Sequence, residues 1–149
     1  KKRGLTNYIR QSFKNFLSAD TYPFEIEINN TFLKVDAFFI CVANSNQFGN
    51  NFTIAPKASL NDGLLDIIVV KKMGKIKVLW SLVKQMKTGK LTKDAEKNFF
   101  NENILYFQAD ALKLKNIKLE PLHIDGDPSP TYKDFDIQIV PNAFMLIQP

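Results

Sequence analysis

The spacing of apolar positions changes several times along the chain, and each change predicts a change of element. Leu5, Tyr8, Ile9, Phe13, Phe16 and Leu17 recur at helical spacing, predicting an amphipathic helix of about four turns. After Pro23 the period falls to two, with Phe24, Ile26 and Ile28 alternating with Glu25 and Glu27. Asn29-Asn30 is a turn signal, because Asn tolerates positive φ. A second run over 32–43 ends in the apolar Phe38-Phe39-Ile40-Cys41-Val42, so the two runs predict a hairpin whose second strand enters the core.

Residues 44–51 are polar and predict a loop, 52–54 a short extended piece before Pro56, and 58–63 a turn. Residues 64–70 form a strong β-run of Leu, Ile and Val. Ile76, Leu79, Trp80, Val83 and Met86 return to helical spacing, with Gly89 as C-cap and Lys84 and Lys87 in the last turn. Alternation then resumes at 104–107, Leu112/Leu114, Ile117/Leu119, Phe135/Ile137/Ile139 and Phe144/Leu146/Ile147, punctuated by Pro121, Pro128, Pro130 and Pro141. Many short strands with two helices predict a mainly-β fold, a two-layer β-sandwich with one or two added helices.

Composition narrows this picture. The 149 residues suit a single domain, and 45% hydrophobic residues with 13 Phe suffice for one core. No apolar run approaches the roughly 18 residues that span a bilayer. Lys1-Lys2-Arg3 leads into an amphipathic stretch, not the apolar core of a signal peptide. With no initiator Met and a start inside a helical pattern, the chain reads as a piece of a larger polypeptide. Cys41 and His123 are the sole residues of their kinds, which excludes an internal disulfide, a thiolate-rich zinc site and any scheme with two histidines.

The net charge is +5, and all but two of the 20 basic residues are Lys. Base readout and bidentate phosphate clamps favour Arg. The excess therefore fits a diffuse field toward anionic lipid or a nucleotide better than nucleic-acid binding, and it also fits plain solubility. Lys71, Lys72, Lys75 and Lys77 crowd the start of the second helix, as a solvated face or a contact for anionic headgroups.

The six glycines are too scattered to build a phosphate-binding loop. Two acidic turns remain. In the first, Ser59-Leu60-Asn61-Asp62-Gly63-Leu64-Leu65-Asp66, Gly63 can turn carbonyls toward a cation and Asp62 can add a charged oxygen, an arrangement that suits Mg²⁺. In the second, Asp125-Gly126-Asp127 closes the short run Leu122-His123-Ile124; paired carboxylates can supply a base or help to hold a metal. Each pattern also fits an ordinary Asp-Gly turn. His123 reads as a structural residue of the sheet, Cys41 as inert core, and Trp80 and Met86 as packing.

The stretch Val42-Ala43-Asn44-Ser45-Asn46, Gly49, and then Ile54-Ala55-Pro56-Lys57-Ala58-Ser59-Leu60-Asn61-Asp62-Gly63-Leu64-Leu65-Asp66-Ile67 resembles the diacylglycerol-kinase-like lipid kinases, a group that includes the sphingosine and ceramide kinases. His123-Ile124-Asp125-Gly126-Asp127 resembles the family's strand ending in Asp-Gly-Glu, and Pro141-Asn142-Ala143-Phe144-Met145-Leu146 its last strand. The resemblance covers nearly the whole chain, residues 1–149, as one C-terminal domain. It implies a β-sandwich that works with an N-terminal ATP-binding domain of the same polypeptide, carrying a Gly-Gly-Asp-Gly-Thr motif outside this chain. The implied reaction is Mg²⁺-dependent transfer of the γ-phosphoryl group of ATP to a lipid hydroxyl such as that of diacylglycerol. It would take place in the cytoplasm, at the inner membrane surface. Mg²⁺ would be held at Ser59, Asp62 and Leu64, with backbone carbonyls at the outer two positions. Asp127 and Asp125 would provide the base, and this piece alone is expected to be inactive.

One departure matters: the family's Glu is Asp127 here, so its carboxylate stops about 1.5 Å short, and a displacement near 1 Å can cost around a hundredfold in rate. This keeps open a non-catalytic sandwich of the same fold that binds lipid or membrane. The C-terminal half of an NAD kinase is a third reading, opposed by the Asp-Gly-Leu-Leu-Asp run. An exposed sheet edge leaves room for a homodimer.

Overall fold

The computed structural model describes residues 20–46, 54–72 and 103–143. The expected helices at 5–17 and 76–86, residues 52 and 53, and the last expected strand at 144–147 lie outside the described residues. What is described is mainly β: eight strands, six of them in one antiparallel sheet.

β1 (Tyr22–Ile28) and β2 (Thr31–Ala43) form the expected hairpin. Asn29 and Asn30 take φ of 49° and 62°, and Ile28 pairs with Thr31. This two-residue turn matches the natural twist of paired strands, and Asn enters it at low steric cost. β3 (Leu65–Lys71), β4 (Ile104–Ala109), β5 (Ala111–Asn116) and β8 (Asp134–Gln138) complete the sheet, in the spatial order β4-β3-β2-β1-β5-β8. β6 (Leu122–Ile124) and β7 (Asp127–Ser129) form a separate hairpin.

β2 serves two groups of strands. Its first half pairs with β1 and its second half with β3. Ala37 pairs with Lys71 and Phe39 with Val70, so Phe38 is the extra residue of a β-bulge. The bulge resets side-chain parity. Leu33, Val35 and Ala37 join the main cluster before it, and Ile40 and Val42 join it afterwards. That cluster unites Phe24, Ile26 and Ile28 of β1 with Leu65, Ile67 and Val69 of β3, strands that share no hydrogen bonds. A bent sheet with two inward faces packed on each other gives the sandwich.

A second cluster covers the other side of β3. Ile68, Val70 and Ile104 meet Ala55 and Ala58, with Phe39 and Cys41 packed against them. β3 is therefore buried on both faces, which explains its apolar run from Ile67 to Val70. Farther along the sheet, Lys34 (2.8 Å) and Lys115 (3.4 Å) bracket Glu25 from the neighbouring strands. The hydrogen bond from Lys34 holds the Glu25 carboxyl below its usual range.

One expected strand is not formed. Ile117 and Leu119 lie in a turn, and Leu119 takes φ of 57°. The cause is Asn116. Its side-chain amide donates to the Glu120 carbonyl (2.8 Å), and its side-chain oxygen accepts from the Glu120 N–H (3.0 Å). Such local side-chain bonds compete with a ladder and end the strand.

Candidate functional site

The first acidic turn is built on small residues. Ala55 and Ala58 are buried at 0% and 6% exposure, and the Ala58 N–H donates to the Ala55 carbonyl at 3.1 Å. The Pro56-Lys57 corner thus lies flat on the outer face of β3. A larger side chain at either alanine would lift it from Ile68, Val70 and Ile104. Downstream, Ser59 Oγ accepts from the Asn61 N–H (3.3 Å), and Asp62 Oδ1 accepts from the Leu64 N–H (3.0 Å). Gly63 holds φ of 71°, a conformation that suits glycine. Ser59, Asp62 and Leu64 therefore belong to one short turn at the head of β3.

Asp66 is two residues beyond Leu64, on the same face of β3 as Ile68. It is 0% exposed. Oδ1 accepts a 3.3 Å bond from Gln108 Nε2 on β4, while Oδ2 is buried and finds no hydrogen-bond partner among the described residues. Burial raises the Asp66 carboxyl above its ordinary range; the Gln108 bond opposes that shift, nearby Asp62 adds to it and Lys57 opposes it. Asp62 and Asp66, whose Oδ2 is the orphaned oxygen, set two carboxylates together with the Lys57 ammonium nearby. A buried carboxylate oxygen in that state is stabilised by a cation or a proton. The residue types fit a hard divalent ion: Asp62 would supply a carboxylate and Ser59 and Leu64 carbonyls, with Asp66 close enough to Asp62 to interact with it electrostatically. Among the described residues, no three His, Cys, Asp or Glu side chains are gathered to hold a metal, so carbonyl oxygens would have to complete the set.

The second acidic turn tips an arm. Residues 117–132 leave the sheet between β5 and β8, and the Asn116 N–H to Lys133 carbonyl bond (2.7 Å) closes the base of the arm. Leu122 N–H donates to Thr131 Oγ1 (3.2 Å) farther out. Ile124 pairs with Asp127 across a two-residue turn in which Asp125 and Gly126 take φ of 52° and 89°. Asp125, Asp127 and His123 are all exposed. Asp125 thus stands at the turn itself and Asp127 opens β7. The two carboxylates share one tip.

Asp66 and Lys57 fall within the first acidic stretch with no role marked by the sequence pattern, and Gln108 falls outside it. The available signal was a charge inside an otherwise apolar buried strand, which needs a partner. Cys41 behaves as expected of core: it is a free, partly buried thiol pushed up to about 11 by burial. Among the described residues, no helix is long and apolar enough to cross a membrane.

Comparisons with known proteins agree with this architecture. The family described as the YegS C-terminal NAD kinase beta sandwich-like domain matches residues 2–148. A YegS-like protein of Chromohalobacter salexigens, named a probable lipid kinase, is 25% identical over 115 residues; the match covers 77% of this chain and 34% of that protein. A crystal structure of a diacylglycerol kinase from Bacillus anthracis str. Sterne has a TM-score of 0.62 at 22% identity, covering 91% of this chain and 43% of that one. Another structure from that organism, of a protein assigned as a diacylglycerol kinase, has a TM-score of 0.65 at 20% identity, with coverages of 93% and 45%. At this identity the likeness is one of fold. The chain spans about a third of the curated relative's length and under half of each solved structure's. The chain belongs to the family of YegS C-terminal, NAD-kinase-like β-sandwich domains that lipid kinases carry.

Proposed function

We propose that this domain supplies the lipid-acceptor side, the catalytic base and a Mg²⁺ site to an ATP-dependent lipid kinase acting on a hydroxyl such as that of diacylglycerol. The names of the relatives support the kinase class. The observation that carries the proposal is the orphaned Asp66 oxygen beside Asp62, where two carboxylates gather with the Lys57 ammonium as their nearby positive charge. Ser59 and Leu64 would hold the ion through carbonyls and Asp62 through its carboxylate. The bound ion would neutralise charge near the transferring phosphoryl group.

At the arm's tip, Asp127 would take the proton of the lipid hydroxyl at a carboxylate oxygen, with Asp125 beside it to orient the alcohol or take that role itself. The hydroxyl oxygen then forms a bond to the γ-phosphorus as the bond from that phosphorus to the ADP oxygen breaks. Phosphoryl transfer asks little else of the protein than positioning and charge stabilisation. The tip geometry suits the task, because a two-residue turn holds both carboxylates in solvent, within reach of an incoming hydroxyl.

The test uses the full-length polypeptide with ATP, Mg²⁺ and diacylglycerol in vesicles. Asp125→Asn and Asp127→Asn should each lower turnover more than tenfold with an unchanged thermal midpoint. Normal turnover in both variants removes the base role. A well-folded full-length protein that consumes no ATP with any lipid alcohol returns the domain to the lipid-binding, non-catalytic reading.

A further inference from the structure

The arm that carries Asp125 and Asp127 is tied at its root to one buried residue. Asn116 ends β5 and is 5% exposed. Its N–H donates to the Lys133 carbonyl (2.7 Å) on the returning stem, and its carbonyl accepts from the Leu119 N–H (3.3 Å) on the outgoing one. Its side-chain amide donates to the Glu120 carbonyl (2.8 Å), and its side-chain oxygen accepts from the Glu120 N–H (3.0 Å). Both stems therefore meet the sheet at this residue, which pairs with Phe24 of β1.

Packing holds the same place weakly. Leu119 is 56% exposed. Glu120, Pro121 and Leu122 line a hollow of about 180 Å³ together with Phe24, Leu114 and Phe135 of the sheet. Side chains beside a hollow lack the close contacts that fix a packed segment, so the course of the outgoing stem falls to the hydrogen bonds. The clasp also keeps Leu119 at φ of 57°, a strained conformation for a residue with a Cβ that persists only where the surroundings impose it.

A small error at the root grows toward the tip. Glu120 and Asp125 are separated by about 16 Å if the chain between them is extended. A tilt of about 4° at the root moves a point that far out by about 1 Å, and a misplacement of about 1 Å can cost around a hundredfold in rate.

We infer that Asn116 is a positioning residue, whose clasp on Glu120 sets the direction of the arm and so the place where Asp125 and Asp127 meet the lipid hydroxyl. The inference rests on the base role proposed for the tip. Asn116 itself touches no reacting atom; it acts through the backbone of Leu119 and Glu120.

The experiment follows turnover of a water-soluble short-chain diacylglycerol by the full-length polypeptide with ATP and Mg²⁺, well below the thermal midpoint. Asn116→Ala opens the clasp and should lower kcat about tenfold or more while KM for ATP is unchanged. Leu119→Val alters an exposed side chain and leaves Asn116 in place, so folding is preserved. A β-branched residue resists positive φ and opposes the clasp, so kcat should fall in the same way. Adding Leu119→Asn to Asn116→Ala should recover part of the lost kcat, because Asn enters positive φ at low cost and keeps the stem on its course. Normal kcat in both Asn116→Ala and Leu119→Val, with Asp125→Asn and Asp127→Asn impaired, overturns the inference and leaves the base role standing. A fall in kcat that comes with a lowered thermal midpoint and is not recovered by Leu119→Asn makes Asn116 a residue of stability alone and also overturns it. Normal turnover in both tip variants removes the base role and this inference with it, a pattern distinct from the other two.

Discussion

Asp66 is the buried charge behind the first acidic turn. Its carboxyl is raised by burial, so the protonated form is favoured in the folded state relative to the unfolded one. Its contribution to stability is full below the unfolded pKa and is lost as pH rises through the folded one, in the absence of a cation. Asp66→Asn should therefore raise the thermal midpoint at neutral pH without Mg²⁺, flatten the stability profile just above the ordinary carboxylate range, and abolish any Mg²⁺-induced rise in midpoint. Thermal melts across pH with and without the ion check all three. A second residue-level outcome concerns Cys41, whose thiol is pushed up to about 11. Thiolate is scarce near pH 8, so alkylation of the native protein should be at least tenfold slower than that of the denatured chain, read by mass spectrometry.

The bulge in β2 governs the scale of elements. Because Phe38 is the extra residue, Ile40 and Val42 face the main cluster although Leu33, Val35 and Ala37 do so at the opposite parity. A second extra residue, inserted between Phe39 and Ile40, would turn Ile40 and Val42 away from that cluster and point Cys41 and Ala43 into it. The variant is expected to be unfolded or molten by near-ultraviolet circular dichroism, whereas Phe38→Leu should cost about 1 kcal/mol. The bulge was not legible in the sequence. A run of five apolar residues has no period to break, so nothing marks one of them as surplus. The strands themselves were legible: Phe24, Ile26 and Ile28 alternate with glutamates, and Asn29-Asn30 announces its turn. Ile117 and Leu119 misled because their alternation is real but serves exposure, and the Asn116 clasp that ends the strand is a contact between residues four apart. At the site, the Asp-Gly signals located both turns. The need of Asp66 for a partner became visible only once β3 was seen to be buried on both faces.

At the scale of the molecule, the domain presents an acidic turn at the head of β3 and an acidic tip on an arm from β5, joined by one bent sheet. It offers no glycine-rich loop to cradle a triphosphate. The 149-residue chain alone should accordingly release no ADP above background with ATP, Mg²⁺ and diacylglycerol, while the longer polypeptide should do so. A coupled ADP assay on both preparations decides this, and turnover by the chain alone would require a nucleotide site that none of the described turns supplies.

The arm has a geometric consequence. Among the described strands β6 and β7 pair only with each other, and the tip they carry is two residues wide. Inserting one residue into each strand would carry Asp125 and Asp127 outward by about 3.3 Å and rotate their neighbours to the other side, whereas two in each would add about 6.6 Å and keep every facing as it is. The hairpin is a ruler graduated in residue pairs, and its reach can be reset without changing the register of any strand in the six-stranded sheet.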